Sequence, residues 1–375
     1  MNIYSDERVV MTLDAGGTTF VFSAYQAGNE IISPIKRPSH AGELDKCLRT
    51  ICEVFKEIRE MLPDAPVAIS MAFPGPADYK NGIIGDPPNF QAFRGGVALG
   101  SMLKRVFGLP VFINNDGDLF TYGEAMGGFL PEINQKLSAL GIDRKYNNLF
   151  GVTLGTGFGG GLVMNGQLCR GDNSASGEIW LTRNLLNQNL IAEESVSIRA
   201  IEKYYKAKTK DKRVLSPREI YDIAIGKIPG EQEIAYQAFE NMATVIGESL
   251  AHVMTLIDTP VVIGGGIAGA SSLILPKVIE HLNGVIEMDQ GIKVPRIVST
   301  VYNVDDKASW QEFITDKVYE IEVPFSQGEK VLYRPEKKIP IGLSRLSTNE
   351  AVAIGAYAFS LRELEIVSSH SQAKF

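Results

Sequence analysis

Three glycine-rich segments and one run of carboxylates hold the residue types that could do chemistry in this sequence. The first segment is Asp14-Ala15-Gly16-Gly17-Thr18-Thr19. Paired glycines let the backbone approach an anion and aim N–H groups at it, and the Thr18 and Thr19 hydroxyls add donors. Each hydrogen bond to a charged phosphate contributes about 1.5–3 kcal/mol, so three or four such donors make a binding loop. Asp14, at the end of a strand, is placed to hold a hydrated Mg²⁺ beside those phosphates. Taken by itself, this hexapeptide reads equally well as a hairpin turn. The second segment, Leu154-Gly155-Thr156-Gly157-Phe158-Gly159-Gly160-Gly161, has five glycines, more than a simple turn needs. It matches G-x-G-x-x-G, but a return strand and an Asn165-Gly166 turn follow, where a dinucleotide fingerprint would open a helix. The third, Gly264-Gly265-Gly266-Ile267-Ala268-Gly269, has the same spacing between a strand and a helix. Alone it could serve NAD, the adenosine of ATP, or helix packing. The two hydroxyl-bearing loops upstream favour ATP, because NAD would leave both unexplained.

The carboxylates lie in Asn114-Asn115-Asp116-Gly117-Asp118, where a strand ends and a helix begins. Asp and Asn there are ordinary helix N-caps. The chemical alternative is that Asp116 takes the proton of an attacking hydroxyl in a phosphoryl transfer, a role that contributes roughly 10²–10⁴-fold. Asp118 competes for this role but reads better as first-turn charge complementing the helix dipole. Asn89, after Asp86-Pro87-Pro88, and Glu178, at the end of a polar loop, could read further hydroxyls; each alone reads as a solvated loop residue.

The elements around these segments alternate strand and helix. Strands are predicted over 9–14, 20–25, 67–73 and 110–114, and an amphipathic helix over 42–61. Cys47 and Cys52 fall on that helix, where packing explains them better than redox chemistry. The second half restarts with a strand over 149–154, a glycine turn over 155–161 and a return strand over 162–164. A long helix over 231–257, a strand over 260–263 and a helix over 271–282 follow. Two halves that each open with strand, glycine turn and strand point to a duplicated architecture. Residues 285–345 hold strand-like pieces at 317–323 and 330–333 but no recognisable chemistry, and 349–364 reads as a closing helix.

The chain has 375 residues, a length that suggests about two domains. Its formal net charge of −7 argues against nucleic acid or an anionic membrane as partner. No apolar run reaches the ~20 residues of a membrane span, and the polar N-terminus does not read as a secretory signal, so the cytoplasm is expected. Three scattered cysteines form neither a disulfide framework nor a zinc cluster.

Together these segments resemble the ROK family of sugar kinases and repressors, within the actin-like, hexokinase-type ATPases. The resemblance rests on Leu13 to Thr18, Pro74-Gly75-Pro76, Pro88-Asn89-Phe90, Asn115-Asp116, the Leu154 to Gly161 run, Gly177-Glu178-Ile179, Ile263-Gly264-Gly265-Gly266 and Ile354-Gly355-Ala356. It implies an α/β fold of two RNase-H-like domains flanking a cleft that binds ATP and a sugar. The expected domains are 1–120, completed by a closing helix over 349–367, and 121–348 with an extended segment over 285–345. The resemblance gives Asp116 as base and Asn89, Asn115, Glu178 and Glu193 as sugar ligands; Glu193 is chosen because it and Ser197 keep the family spacing, with Glu194 the adjacent alternative. Asp14, Gly16, Gly17, Thr18, Thr19, Gly155, Thr156, Gly157, Gly264, Gly265 and Gly266 would hold Mg-ATP, and a homodimer is the family expectation. The chain departs from the family after Glu178, reading Ile179-Trp180-Leu181 in place of a histidine motif and a zinc-binding cysteine cluster. No zinc is therefore expected. The leading reading is an ATP-dependent hexose kinase, with glucose first. A non-catalytic sugar-binding relative and an NAD-linked oxidoreductase are the rivals, in that order.

Overall fold

The opening strand, Val10–Ala15, is buried on both faces, so it must lie inside a layered structure rather than at its surface. In the computed structural model, which describes residues 2–372, it pairs antiparallel with Thr19–Gln26 from Val10↔Tyr25 to Ala15↔Phe20. Gly16-Gly17-Thr18 is left as the connection. On its other edge it runs parallel to Ala68–Ala72, which in turn runs parallel to Val111–Asn114. One face is covered by the helix Leu44–Met61 through Cys47, Ile51, Val54, Phe55 and Ile58. Both helical cysteines are therefore packing residues, and burial pushes the Cys47 thiol up to about 12.

The second sheet repeats the plan. Leu149–Leu154 pairs antiparallel with Phe158–Met164 and parallel with Val261–Gly264. The glycine turn is shorter than expected, because the return strand already begins at Phe158, opposite Leu154. Lys338–Leu343 then inserts between Val261–Gly264 and Thr300–Asn303, parallel to both. Residues 285–345 thus supply two of the six strands of this sheet. The sequence signal there was masked by the polar Lys338 and by Pro340, a residue that argues against a central strand. The pieces expected at 317–323 and 330–333 form a separate hairpin, Tyr319–Glu322 with Lys330–Tyr333.

Two helices are exchanged between the halves. Asp116–Met126 leaves the last strand of the first sheet but packs on Leu149–Leu154 and Phe158–Met164 of the second. Thr348–Gln372 leaves the second sheet and packs on Val10–Ala15 and Ala68–Ala72 of the first. The two helices cross in direct backbone contact at glycines. A Cβ on Gly123 would meet the carbonyl of Ala351 at 1.9 Å, and one on Gly355 would meet that of Leu119 at 1.9 Å. Fully buried Glu124 pins this crossing. Its carboxylate accepts the backbone N–H groups of Phe129 (2.7 Å), Arg345 (3.1 Å) and Leu346 (3.0 Å) and the Ser344 hydroxyl (2.5 Å). The expected boundary at 120/121 falls inside Asp116–Met126, so the two halves join through a shared helix pair rather than a linker.

Candidate active site

Residues from both halves line a cleft of about 820 Å³: Asn89, Asn115 and Asp116 from the first, and Gly155, Thr156, Gly157, Glu178, Glu193, Gly265 and Gly266 from the second. The structure therefore brings together most of the residues singled out from the sequence. Trp180, Arg199, Thr348 and Asn349 join them. The last two could not be found from the sequence, because the closing helix delivers them from the far end of the chain. Thr348 Oγ1 accepts the Gly265 N–H at 3.3 Å, fixing that helix end against the third glycine segment.

Asp116 is the first residue of its helix, and Asn115 is the N-cap, accepting the Gly117 N–H through Oδ1 at 2.8 Å. With the cap supplied next door, Asp116 presents a solvent-accessible carboxylate at the floor of the cleft. Surrounding protein raises its pKa by desolvation, and the Gly117 N–H, 3.0 Å away, opposes the shift. Asn115 Nδ2 also donates to Tyr79 Oη at 3.4 Å, and Tyr79 donates to the Phe73 carbonyl at 2.9 Å.

Asp118 lies in the first turn of its helix, as expected, but it is 3% exposed and its Oδ1 has no hydrogen-bond partner. Burial, with the Glu178 charge adding to it, pushes its pKa up to about 8. The helix start is pressed onto the return strand, where a Cβ on Gly161 would lie 2.9 Å from Asp118 Cα. Gly160 is equally tight against the Gly177 carbonyl. The excess glycines of the second segment thus divide in two. Gly155 and Gly157 shape the loop, whereas Gly160, which also lines the cleft, and Gly161 let a helix and a loop approach a strand.

Glu178 is exposed in the cleft and accepts a short hydrogen bond from Trp180 Nε1. Glu193 braces the second loop instead of standing free: Oε2 accepts the Phe158 N–H at 3.1 Å, and Oε1 pairs with Arg199 at 3.1 Å. Arg199 also pairs with Glu194 at 2.7 Å, so Glu194 faces the same guanidinium rather than replacing Glu193 in the lining.

The first loop stands behind this lining. Asp14 is half-buried near the end of its strand; desolvation, reinforced by the Asp116 charge, pushes its pKa up to about 6. Gly17 packs against Asn89, with a Cβ position 3.0 Å from Asn89 Cβ. The Gly16 N–H is bonded to the Thr19 carbonyl at 3.1 Å and the Gly17 carbonyl accepts from Ser39 Oγ at 2.7 Å, so part of this loop's polarity is spent on its own turn. Thr18 and Thr19 are exposed. Gly264 also lies outside the lining; its missing side chain makes room for Phe120, whose ring would be 2.4 Å from a Cβ. Gly265, at φ +89°, sits so close to the Leu154 carbonyl (2.3 Å from a Cβ position) that only glycine fits.

Comparison with known proteins bears on the family and the fold. A solved structure of glucokinase from Parabacteroides distasonis superposes with a TM-score of 0.87 at 50% identity, covering 96% of this chain and 99% of that one. Glucokinase of Thermotoga maritima is 30% identical over 169 residues, which span 48% of that protein and 44% of this chain. N-acetyl-D-glucosamine kinase of Yersinia enterocolitica is 26% identical over 77% of this chain and 93% of its own length. The fold is accordingly that of the ROK sugar kinases, two actin-like domains about a cleft. With the sequence model of the ROK family matching residues 10–308, this chain belongs to the ROK family.

Proposed function

We propose that this chain is an ATP-dependent hexose kinase that transfers the γ-phosphate to a primary sugar hydroxyl. The observation that carries the reading is Asp116 itself: an accessible carboxylate, relieved of capping by Asn115, facing the Gly155–Gly157 loop across one cleft. Asn89, Asn115 and Glu178 would hold ring hydroxyls. Asp116 would accept the proton of the attacking hydroxyl as the new O–P bond forms and the bond to the ADP leaving group breaks. The Gly155, Thr156 and Gly157 loop would cradle phosphates, the first loop would close over them from behind, and Gly265 and Gly266 would face the nucleoside. Glu193, tied to Phe158 and Arg199, would hold the second loop in shape as well as meet the sugar.

Asp14 fits a divalent cation. It is a half-buried carboxylate in the field of Asp116, and the cationic side chain of the lining, Arg199, is already held by Glu193 and Glu194. Mg²⁺ held there through water would screen the phosphate charge. Trp180, donating to Glu178, would hold that carboxylate toward the sugar. Glucose is the first substrate to test, after the 50% identical relative, with N-acetylglucosamine second, and a cytoplasmic location would give such an enzyme its ATP.

A coupled ADP-release assay over glucose, mannose, fructose, allose, N-acetylglucosamine and N-acetylmannosamine tests the reading. Sugar-stimulated turnover with Mg-ATP is expected, and Asp116→Asn should lower kcat by roughly 10²–10⁴-fold with ATP affinity retained. Silence across the panel, with sugar binding preserved by calorimetry, would instead support a non-catalytic sugar-binding protein.

A further inference from the structure

Given the kinase reading above, we propose that Arg170 is a positioning residue for the transfer: its guanidinium holds the Asp116 segment of the first half and the Glu178 loop of the second in one alignment. Arg170 Nη1 donates to Asn114 Oδ1 at 3.3 Å. Asn114 is fully buried at the end of its strand, two residues before Asp116, and its Nδ2 has no hydrogen-bond partner. The bond from Arg170 is therefore what orients this amide. It crosses between the halves, because Asn114 ends a strand of the first sheet and Arg170 follows the second.

Through its backbone the same residue closes the loop that carries Glu178. The Ser176 N–H donates to the Arg170 carbonyl at 3.1 Å, and the Ser174 N–H to the Gly171 carbonyl at 3.4 Å, so the loop folds back onto Arg170. Gly177, at φ +82°, then turns the chain against Gly161, whose Cα would lie 3.1 Å from an added Cβ. Glu178 follows directly. Asp172, Asn173 and Ala175 are exposed and contribute little to anchoring the loop, which leaves its start at Arg170 to set where it sits.

On its remaining side the guanidinium lies over the Phe359 ring, 5.0 Å from the centroid. Phe359 belongs to the closing helix Thr348–Gln372, whose first residues Thr348 and Asn349 line the cleft. Three segments that each deliver a cleft residue thus meet at one planar group. Among the described residues Arg170 has no ion-pair partner, so its charge is not spent on a surface carboxylate. It is felt at Asp118 instead, where burial and the Glu178 charge raise the pKa and Arg170 opposes them. A lysine could supply that charge but not the flat fork that bonds one segment while stacking on another.

Phosphoryl transfer tolerates little misalignment, since a displacement of about 1 Å costs on the order of 10²-fold. Arg170→Met keeps the aliphatic stem on Phe359 and loses the fork. It should lower kcat roughly 10–100-fold and raise the sugar KM about tenfold, with the KM for ATP within about twofold of wild type. Arg170→Lys should fall between Arg170→Met and wild type in both sugar parameters. A purely structural role would reduce the amount of folded enzyme, lowering kcat and leaving the sugar KM alone. That pattern overturns the assignment, as does a sugar kcat/KM within about threefold of wild type in Arg170→Met. Should Arg170→Met not fold, Arg170→Lys decides: a lowered kcat with a raised sugar KM supports the assignment, and wild-type values or a lowered kcat alone overturn it. Calorimetry with sugar keeps this test apart from that of the kinase reading. A wild type that binds sugar without turnover removes the kinase reading, and the variants' sugar affinity then still reports on Arg170. Binding about tenfold weaker supports its hold on the Glu178 loop, and unchanged binding overturns it.

Discussion

Two side chains near Asp116 set how the cleft can work. Trp180 lies two residues after Glu178, and its indole N–H holds the Glu178 carboxylate. A hydrogen bond to a charged group contributes about 1.5–3 kcal/mol, so Trp180→Phe, which keeps the ring and loses the donor, should raise the KM for sugar roughly tenfold or more and leave the KM for ATP unchanged. A sugar kcat/KM within twofold of wild type would remove Trp180 from that role. Asp118 bears on stability. Its folded-state pKa, pushed up to about 8, lies above the ordinary carboxyl value, so between roughly pH 4 and 8 the folded state holds the proton more tightly than the unfolded chain. The group's favourable contribution is therefore present at low pH and is lost as pH rises through about 8. Asp118→Asn should stabilise the protein relative to wild type by about 4 kcal/mol more at pH 8.5 than at pH 5, measured by urea unfolding. An equal difference at both pH values would mean that Asp118 is ionised in the native protein throughout. From the sequence, Asp116 stood out because it ends a strand and opens a helix. The burial of Asp118 was invisible, since it follows from a helix pressed against glycines far along the chain.

At the scale of elements, glycine marks close approach more often than it marks phosphate. Gly161 and Gly264 read as part of binding loops from their spacing, yet the structure uses both where a helix or an aromatic ring meets a strand, while Gly160 both lines the cleft and meets a loop. The sharpest case is the crossing of Asp116–Met126 with Thr348–Gln372. Gly355→Ala would drive a methyl group into the Leu119 carbonyl and force the helices apart, so a loss of about 3 kcal/mol or more is expected in urea unfolding. Gly42→Ala, with nothing within 4 Å of the added methyl, should be neutral or slightly stabilising. If the two variants unfolded alike, the crossing would have to be more yielding than its geometry implies. Strands with a strong local pattern, such as Leu149–Leu154, were legible to the residue. Lys338–Leu343 was not, because burial along its length removes alternation and Pro340 argues against a central strand, and the four-residue Thr300–Asn303 is too short to carry a pattern.

At the scale of the molecule, the two sheets are joined by helices that each belong by sequence to one half and by packing to the other, with Glu124 tying one helix to the turn that starts the other. Each half therefore supplies an element that packs on the other, and the cleft lining comes from both. Asp116 and Asn115 ride on one exchanged helix, and Thr348 and Asn349 on the other. By itself the sequence determined the repeated strand–turn–strand plan, the phosphate-type loops and the Asn115-Asp116 pair, because each is written in adjacent residues through local backbone and hydrogen-bonding preferences. Only the tertiary structure decided which glycines face the cleft, that Trp180 holds Glu178, that Asp118 is buried, and that residues 285–345 split into sheet strands and an exposed hairpin. Those outcomes depend on contacts between residues distant in the chain, and no local pattern encodes which surface another element will cover.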